Sequence, residues 1–407
     1  MERPYIPREH YLKLIRGVRD LPLIKVITGI RRCGKSTLME MFIDELRSSG
    51  IPDERIIHIN LDDADNEVSD HHDLLELVRS RVPQVEGSYL FFDEVQNVDG
   101  WEKAVNSFYI HDADVYITGS NSNMLSSEPA THLSGRTLEI TVFPLSFSEY
   151  TEFRPGIDTD TLLDDYIRYG GFPAVALAMD RMPYLTMDIL DGIHNTIFNR
   201  DITGRHNIRN HTALSHVSGM LMGNLGDRTS VRDVARNLTD RGIRTQPQTV
   251  DEYIRYLEEA MLFSRSKRMD LKTKEYLRTT DKFYITDLGI RNSQTPFHID
   301  DMDGILENIV YNELRYRFRD VAVCDQGRYE VDFVADPVGS PSYYQVSMSI
   351  LDPETRERKI RPLRMIGDNH PKTVITLDGS PVDDIDGIRI VRLRDWLLEG
   401  RDTNGPL

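Results

Sequence analysis

The stretch Gly29-Ile-Arg-Arg-Cys-Gly-Lys-Ser36 matches the full phosphate-loop pattern G-x-x-x-x-G-K-[ST], and it decides the first part of the fold. The apolar run Ile24–Thr28 precedes it, and a helix-like stretch at residues 37–43 follows it. A strand, a glycine-rich turn and a helix in that order form the context in which this pattern binds phosphate. A turn without a ligand is the alternative, but the flanking elements argue against it. The sequence therefore predicts a nucleotide-binding site.

Each residue type in this loop has a chemical role. The two glycines let successive backbone N–H groups turn inward around the phosphates, and Lys35 supplies a positive charge to the β- and γ-phosphates. The hydroxyl of Ser36 can ligate Mg²⁺. We therefore expect ATP to be bound by Gly29, Arg31, Arg32, Cys33, Gly34, Lys35, Ser36 and Thr37.

A second apolar strand, Tyr89–Asp93, ends in two acidic residues and supplies the other half of such a site. Asp93 is expected to hold Mg²⁺ indirectly, through a water molecule bound to the ion, which makes Ser36 and Asp93 the predicted metal residues. Glu94 is expected to polarise the attacking water, and this predicts a hydrolase and not a passive nucleotide binder. The alternative is a buried strand that ends in acids without a catalytic role.

A third apolar strand, at residues 114–118, runs into a Gly-Ser-Asn-Ser-Asn segment. Small polar side chains at the tip of such a strand are suited to contact a γ-phosphate, and we predict this role for Asn121 or Ser120. Ordinary turn chemistry remains the alternative, because Gly, Ser and Asn also form loops.

Arg136 follows Leu133-Ser-Gly and precedes a strand-like run at residues 137–142. It is the predicted arginine finger, a residue that stabilises charge on the transferring phosphoryl group. A surface arginine at a strand end is the alternative. If the finger acts on another subunit, hydrolysis requires a homo-oligomer.

Taken in order, these segments resemble the AAA+-type ATPases of bacteria and archaea that carry a C-terminal domain of unknown function. The resemblance spans nearly the whole chain and rests on the segments at residues 29–37, 92–96, 118–121, 133–136, 143–147, 170–173, 284–289 and 330–334. It implies an ATPase core, a small helical lid, and a C-terminal half of winged-helix and nuclease-like character.

The predicted fold is therefore α/β, with a parallel-sheet P-loop core and three further parts. The predicted domains are an AAA+-like core at 1–150, a helical lid at 151–204, a winged helix-turn-helix at 205–295 and a restriction-endonuclease-like α/β domain at 296–407. Arg200 or Arg205 is expected to reach the phosphates from the lid.

Composition favours a multi-domain cytoplasmic protein. The chain has 407 residues, which is long for one hydrophobic core, and its two cysteines cannot form a disulfide framework. Cys33 is expected to be an inert loop residue, with oxidation sensing as the alternative. The first residues contain no apolar signal segment and no long apolar run occurs, so we expect neither secretion nor a membrane partner.

The net charge of −17 argues against nucleic acid as a partner, but the charge is unevenly distributed. Residues 205–291 contain 16 Lys and Arg against 11 Asp and Glu, so the rest of the chain carries −22. Helical spacing at 230–238, a turn, and a second helix from Gln248 resemble a winged helix-turn-helix. Its hairpin carries the cations Arg265, Lys267, Arg268, Lys272, Lys274 and Arg278.

We therefore predict that DNA binds through residues 205–291, by phosphate contacts to this hairpin. Winged helices also dock proteins, and the predicted recognition helix carries Asp251, Glu252, Glu258 and Glu259. A protein partner is the alternative.

The last part of the chain predicts a degenerate nuclease fold. A metal-dependent nuclease of this type uses an acid, an aspartate and a Glu-x-Lys strand. Glu307, Glu313 and Asp332 supply acids, but Gln345 and Ser347 occupy the Glu and Lys positions. We therefore expect this part of the chain to function in binding or assembly and not in cleavage. An ATP-gated nuclease would require another part of the chain to supply the missing lysine.

The combined prediction is a Mg²⁺-dependent ATPase whose ATP turnover is coupled to DNA binding or remodelling by the C-terminal half. An ATP-driven switch that acts on a protein partner is the main alternative.

Overall fold

The computed structural model describes residues 6–82, 84–124, 133–271, 273, 275–326, 329–336 and 338–399. The described residues divide between two compact units. The first lies within Met1–Phe143 and Glu259–Met261, and the second lies within Pro144–Glu258 and Leu262–Leu407. The first unit ends close to the predicted boundary of the ATPase core at residue 150.

The first unit is a parallel five-stranded sheet with helices between its strands. In chain order its elements are α1 Glu9–Val18, β1 Ile24–Thr28, α2 Lys35–Ser48, β2 Ile56–Asn60, α3 His71–Arg81, β3 Tyr89–Asp93, α4 Trp101–Ile110, β4 Asp114–Gly119 and β5 Thr137–Thr141. The strand order is β2-β3-β4-β1-β5, and every neighbouring pair is parallel. This is the P-loop sheet that the sequence predicts.

The apolar strand sequences follow from burial on both faces of this sheet. All five residues of β1 and of β3 are buried, as continuous apolar runs in a parallel sheet require. On one face the Phe42 ring of α2 lies 6.2 Å from Phe91. On the other face the Phe108 ring of α4 stacks on Phe92 at 5.6 Å. Neighbouring residues of β3 therefore hold helices on opposite faces of the sheet.

The strand register places the carboxyl ends of β1, β3 and β4 next to one another. Thr28, the last residue of β1, pairs with Gly119 at the end of β4. Phe92 of β3 pairs with Ile117, so Asp93 lies beside Thr118. Because β4 lies between β1 and β3, its tip stands between the phosphate loop and the acidic residues.

The second unit begins with helices. They are α5 Phe147–Phe153, α6 Thr159–Tyr169, α7 Pro173–Met179, α8 Thr186–Thr196, a π-helical segment Ile197–Thr203, α9 His211–Gly223, α10 Val231–Asp240 and α11 Pro247–Glu259. No helix in the described part of the chain has both the length and the apolar character needed to cross a bilayer.

The rest of the second unit contains an eight-stranded mixed sheet. Its elements are β6 Phe263–Asp270, β7 Tyr276–Ile285, α12 Leu288–Gln294, α13 Met302–Arg317, β8 Val321–Gln326, β9 Tyr329–Ala335, β10 Ser342–Ser347, α14 Pro353–Arg364, β11 Lys372–Thr376, β12 Asp384–Ile385, β13 Ile388–Arg392 and α15 Leu393–Glu399. The strand order is β12-β13-β11-β10-β9-β8-β6-β7.

The boundary predicted at residues 295 and 296 does not separate two sheets. The β6–β7 hairpin continues into the C-terminal strands because β6 pairs in parallel with β8 from Arg268↔Val323 to Asp270↔Asp325. The hairpin predicted as a wing therefore shares one hydrogen-bonded sheet with the predicted nuclease-like part.

A buried aspartate joins two motifs that are distant in sequence within this unit. Asp287 accepts hydrogen bonds from the backbone N–H of Gly171 at 2.7 Å and of Ile290 at 3.2 Å. Gly170 has a positive φ of 73°, and a Cβ there would collide with the Asp287 carboxylate. The Gly-Gly segment after α6 therefore needs glycine because it packs against the start of α12.

Candidate functional site

The phosphate loop connects β1 to α2, and its glycines are required by space and by backbone conformation. A Cβ on Gly29 would collide with the Val142 carbonyl and lie 2.8 Å from the Cys33 sulfur. Gly34 has φ 104°, a left-handed conformation that favours glycine. Arg32 also has a positive φ, 72°, and its side chain is exposed. The loop thus adopts a tight turn before α2 begins at Lys35.

Lys35 lies inside this loop and is only 4% exposed. Its ammonium donates to the carbonyl oxygens of Gly29 at 3.0 Å and of Ile30 at 3.3 Å. Its carboxylate neighbour is Glu94, whose Oε1 is 3.8 Å away. Backbone carbonyls hold the ammonium in place without neutralising its charge, which suits a group that binds an anionic phosphate.

Arg8 supports the loop from outside and was not predicted from sequence. Its Nη1 donates to the carbonyls of Cys33 and Phe143, both at 3.0 Å, and the side chain is buried. No motif identifies this residue, because it lies 25 positions before the carbonyl it contacts.

Cys33 itself is fully buried, and burial raises the pKa of its thiol, which favours an inert loop cysteine.

The acidic pair at the end of β3 is positioned by Thr118. The Thr118 hydroxyl donates to Asp93 Oδ1 and accepts from the backbone N–H of Glu94 at 2.9 Å. Glu94 has a left-handed φ of 54°. One side chain from the neighbouring strand therefore fixes both acids, and sequence spacing gave no sign of this role.

The Glu94 carboxylate lies between the phosphate loop and the tip of β4. Its Oε2 accepts from Ser120 Oγ at 3.2 Å and from the Gln96 amide, and Arg31 Nη2 is 3.7 Å away. With Lys35 on its other oxygen, this carboxylate is oriented from both sides. Gln96 was noted only as part of the family-like segment, without a role.

Asn121 and Ser120 differ in what they contact. Asn121 Oδ1 accepts from the backbone N–H of Asn123 at 2.8 Å, which closes a local turn. Ser120 is fully buried and donates to Glu94. Of the two residues proposed at this strand tip, Ser120 contacts the predicted catalytic acid and Asn121 shapes the turn.

The predicted metal residues lie at the same edge of the sheet. Ser36 is the second residue of α2, and Asp93 ends β3 as a buried carboxylate. A hydroxyl and a carboxylate are hard oxygen donors of the kind that Mg²⁺ prefers, so this pair fits that ion. In the part of the chain that the structure describes, no cluster of three or more His, Cys, Asp or Glu residues is arranged to hold a metal.

Arg136 lies at the amino ends of the parallel strands, whereas the phosphate loop lies at their carboxyl ends. It directly precedes Thr137, which pairs with Ile24 at the start of β1, and its carbonyl accepts from the Ile24 N–H. The phosphate loop begins five residues further along β1, roughly 16 Å away at the usual rise of a strand. Arg136 is therefore not brought together with Lys35 and Glu94 of its own chain.

Two cations of the predicted hairpin are paired with carboxylates within the second unit, which argues against the phosphate contacts predicted for Arg265 and Arg268. Arg268 is 4% exposed and pairs with Asp325, and Arg265 pairs with Glu258 at 3.1 Å. Lys267 is exposed. Lys272 and Lys274 lie outside the described residues, as does the side chain of Arg278. Other exposed cations of region 205–291 include Arg232, Arg241 and Arg244.

Three acids of the predicted nuclease-like part form a partly buried cluster with two lysines. Lys282 Nζ lies 3.0 Å from Glu307 and 2.7 Å from Glu330, and Lys359 Nζ lies 2.9 Å from Asp332. Gln345 and Ser347, at the predicted ligand positions, are buried. Glu313 lies elsewhere, paired with Arg317 at 2.7 Å.

Burial and charge shift the pKa values in this acid–lysine cluster. Burial, together with the charge of Asp332, raises the pKa of Glu307 to about 7, against the opposing effect of the lysines. Burial disfavours the charged form of Lys282, but the carboxylates around it outweigh this effect and raise its pKa. The lysines therefore serve as counterions to the acids.

Comparison with known proteins agrees with the geometry of the first unit. A family model for an AAA domain matches residues 22–151, and a model for a domain of unknown function, DUF8612, matches residues 160–301. A solved Walker-type ATPase of Pyrococcus abyssi aligns with a TM-score of 0.51 at 14% identity, covering 71% of this chain and 96% of its own. At that identity the likeness shows the fold alone.

Two relatives match most of the chain in sequence. An uncharacterized protein of Haemophilus influenzae is 36% identical over 407 residues, which cover 98% of this chain and all of the relative. An uncharacterized protein of Methanocaldococcus jannaschii is 31% identical over 331 residues, which cover 76% of this chain and 71% of the relative. With the phosphate loop and acidic pair described above, these matches show that the chain belongs to a family of AAA-type P-loop ATPases with a C-terminal region of unknown function.

Proposed function

We propose that the first unit hydrolyses ATP with Glu94 as the general base. The observation that carries this proposal is the position of the Glu94 carboxylate, which Ser120 contacts at 3.2 Å while Arg31 and Lys35 lie within 4 Å. The carboxylate accepts a proton from water, the water oxygen bonds to the γ-phosphorus, and the bond to the bridging oxygen breaks. The products are ADP and phosphate.

Lys35 and the loop N–H groups bind the phosphates in this proposal, and Ser36 and Asp93 hold Mg²⁺. When bound, the ion neutralises charge that develops on the phosphate oxygens. Arg136, at the amino ends of the strands, completes the ATP site of another subunit. Ser120 is the better placed residue to sense the γ-phosphate through Glu94, and Asn121 keeps the strand tip in its turn.

The first test of this proposal is Glu94→Gln, which preserves the shape of the side chain and removes its basicity. We expect ATP affinity to be retained and turnover to fall about 100-fold or more, the usual contribution of a general base. Binding of a fluorescent ATP analogue and steady-state phosphate release measure the two quantities. A variant that hydrolyses ATP at the wild-type rate would remove Glu94 from the mechanism.

The second unit is proposed to couple this turnover to DNA. Two helices, α10 and α11, are followed by the β6–β7 hairpin, and Thr229 before α10 pairs with Asp281 of β7 at 2.9 and 3.3 Å. This order of elements supports a winged helix. The buried pairing of Arg268 moves the proposed phosphate contacts to Arg241 and Arg244, which are exposed in the turn between the two helices.

ATP hydrolysis with and without single-stranded and double-stranded DNA, over a salt titration, tests the coupling. Stimulation that falls as salt rises supports DNA as the partner, because phosphate contacts release counterions. Arg241→Glu with Arg244→Glu is then expected to weaken DNA binding, whereas Arg181→Glu with Arg319→Glu changes net charge equally at exposed arginines elsewhere. Robust turnover without a DNA response favours the protein-partner alternative.

A metal-dependent nuclease is the second candidate, because one observation favours it. Lys359 of α14 lies 2.9 Å from Asp332, so a lysine reaches the acid even though Ser347 replaces it on the strand. Plasmid nicking in Mg²⁺ by the wild type, lost in Lys359→Ala, would support this candidate. Intact plasmid after incubation with the wild type would remove it.

A further inference from the structure

Arg8 lies directly before α1 and contacts two distant parts of the first unit with one nitrogen. Its Nη1 donates to the carbonyl oxygens of Cys33 in the phosphate loop and of Phe143 after β5, both at 3.0 Å. The side chain is buried, with 4% exposed. Burying a guanidinium is costly, so a buried arginine that donates to the phosphate loop indicates a role in that loop.

Helix α1 fixes the position of Arg8. The buried side chains of Tyr11, Leu12 and Ile15 anchor this helix, and the N–H of Leu12 donates to the Arg8 carbonyl at 3.1 Å. The guanidinium also lies 4.6 Å from the centroid of the Tyr11 ring, within the range of a cation–π contact. Because the guanidinium is restrained in this way, it holds the Cys33 carbonyl in a fixed direction.

The direction of the Cys33 carbonyl determines the direction of the next N–H group. The peptide bonds in the described part of the chain are trans, and in a planar trans peptide the C=O and the following N–H point in opposite directions. The N–H of Gly34 therefore points away from Arg8. Gly34 is the N-cap of α2, and N–H groups at the start of a helix are suited to bind an anion.

The charge of Arg8 also strengthens this N–H as a donor. A cation at the carbonyl of an amide draws electron density towards the oxygen, which makes the N–H of the same amide more positive. Such polarisation along a chain of hydrogen bonds is stronger in a buried site than in water. A phosphate on the Gly34 N–H would therefore be linked to a buried cation through a single peptide.

We propose that Arg8 is a positioning residue for the nucleotide, which orients and polarises the Cys33–Gly34 peptide so that the Gly34 N–H donates to a phosphate oxygen. The inference rests on the proposed binding of phosphates by the loop. Arg8 acts through the peptide and does not contact the phosphate itself. Its effect therefore falls on the affinity for ADP as well as ATP, whereas Glu94 acts on turnover.

Support of the segment after β5 is the alternative role for Arg8. Both backbone groups of Phe143 are held from the start of α1, because the Tyr11 hydroxyl accepts its N–H at 3.0 Å and Arg8 donates to its carbonyl. Tyr11→Phe removes the hydroxyl from this segment, keeps the ring beside Arg8 and leaves the Cys33 carbonyl bonded. It is therefore the matched control for a purely structural role.

Calorimetric titration of the full chain with ADP and with a non-hydrolysable ATP analogue, both with Mg²⁺, tests the effect on affinity. Arg8→Met keeps the apolar stem, and we expect it to weaken both nucleotides about 10-fold or more, as the loss of a charge-assisted hydrogen bond does. Arg8→Lys should recover most of this loss, because one ammonium can make both contacts. Tyr11→Phe should bind as wild type, as should Arg16→Met, the same change at a 42% exposed arginine of α1.

Nuclear magnetic resonance of one peptide tests the mechanism. Glycine follows cysteine in the sequence only at Cys33–Gly34, so carbonyl-¹³C cysteine and ¹⁵N glycine give a single doubly labelled amide. Without nucleotide, Arg8→Met is expected to move the carbonyl signal upfield, because the carbonyl loses its donor. ADP is expected to move the Gly34 proton downfield in the wild type and in Tyr11→Phe, and less in Arg8→Met.

Two results would overturn the role of Arg8. One is an Arg8→Met chain that binds both nucleotides as tightly as the wild type. The other is an equal loss of affinity in Arg8→Met and Tyr11→Phe, which would assign Arg8 to the support of Phe143. If Arg8→Met does not fold, Arg8→Gln replaces it, because it keeps an amide donor and removes the charge. A wild-type affinity in Arg8→Gln would then overturn the proposal.

The outcomes also separate this role from the proposed mechanism of hydrolysis. A Gly34 proton that does not respond to ADP in the wild type overturns the role of Arg8 and leaves hydrolysis by Glu94 standing. A wild type that hydrolyses ATP no faster than Glu94→Gln, but shows the expected Arg8 pattern with ADP, supports the role of Arg8 and overturns the proposed general base.

Discussion

Lys35 in the first unit and Lys282 in the second are both buried lysines near glutamate, but their surroundings differ. Lys35 is held by two backbone carbonyls, and the Glu94 oxygen is 3.8 Å away. Lys282 lies 3.0 Å from Glu307 and 2.7 Å from Glu330. A carbonyl positions an ammonium without cancelling its charge, whereas a carboxylate in direct contact cancels it. The first lysine can therefore serve a phosphate ligand, and the second serves the stability of its own unit.

Lys35→Ala is expected to have the largest effect on ATP affinity, and it tests the ligand-binding side of the comparison. Charge-assisted hydrogen bonds contribute about 1.5–3 kcal/mol each, so we expect ATP affinity to fall about 100-fold. The free energy of unfolding should change little, because Glu94 keeps its hydrogen bonds from Ser120 and Gln96 and its neighbour Arg31 when Lys35 is removed. Calorimetric titration with ATP measures the affinity, and an unchanged dissociation constant would contradict a phosphate-binding role.

Lys282→Met is expected to show the opposite pattern, with ATP affinity retained and stability reduced. Removing one partner of a buried ion pair leaves an uncompensated charge and costs about 3–5 kcal/mol. The loss should be smaller at pH 5 than at pH 8, because the freed carboxylates can take up protons. Chemical unfolding measures it, and Lys267→Met removes an exposed lysine of the same hairpin as a control. Equal stabilities of the two variants would show that the acid–lysine cluster does not stabilise the fold.

Asp287 extends the comparison to a buried carboxylate whose pKa is set mainly by burial and by backbone N–H groups, and not by a neighbouring cation. Burial raises its pKa to about 6, against the opposing effect of backbone N–H groups. A raised folded-state pKa means that its stabilisation is complete below the unfolded pKa and is lost as pH rises through about 6. Asp287→Asn removes the titration but keeps only one of the two acceptor oxygens, so it also gives up the bond from Gly171 or the bond from Ile290 at every pH.

We therefore expect the wild type to lose about 2.5 kcal/mol relative to Asp287→Asn as pH rises from 4 to 7.5, by the usual conversion of a pKa shift. Urea unfolding across this range measures the difference. A constant difference between the two proteins would mean that Asp287 has the same pKa in the folded and unfolded states.

Arg228→Ala is expected to have the smallest effect. Its guanidinium contacts Asp325 at 2.7 Å and Glu330 at 2.5 Å, but its side chain is 46% exposed. Exposed ion pairs contribute at most about 1 kcal/mol, and Lys282 keeps Glu330 paired in this variant. Thermal unfolding in low and high salt measures the effect. A loss as large as that of Lys282→Met would contradict the distinction between buried and exposed pairs.

The sequence predicted the first unit well because its signals are local. The phosphate loop, the two acids of β3 and the strand tip at Ser120 each lie within a few residues of the strand that positions them. Parallel strands then bring their carboxyl ends to one edge of the sheet. The roles of Arg8 and Thr118 were missed, because they depend on contacts with residues at least 24 positions away in the sequence.

The second unit was predicted less well because its interactions are distant in sequence. Arg268 reads as a phosphate contact in its hairpin, but Asp325 neutralises it from 57 residues away. Two further features also join residues that are distant in sequence and were not predicted. They are the pairing of β6 with β8 and the ion pair between Lys359 and Asp332. Charge counted along a segment cannot reveal partners that only the fold supplies.

The parallel pairing of β6 with β8 also has a mechanical consequence. A flexible linker between the hairpin and the C-terminal strands would absorb a pull on the hairpin as slack. Here the backbone hydrogen bonds from Arg268 to Asp270 carry such a load directly into the eight-stranded sheet. Force applied to the β6–β7 hairpin is therefore transmitted through hydrogen-bonded neighbours across the sheet, as far as β11 and β13.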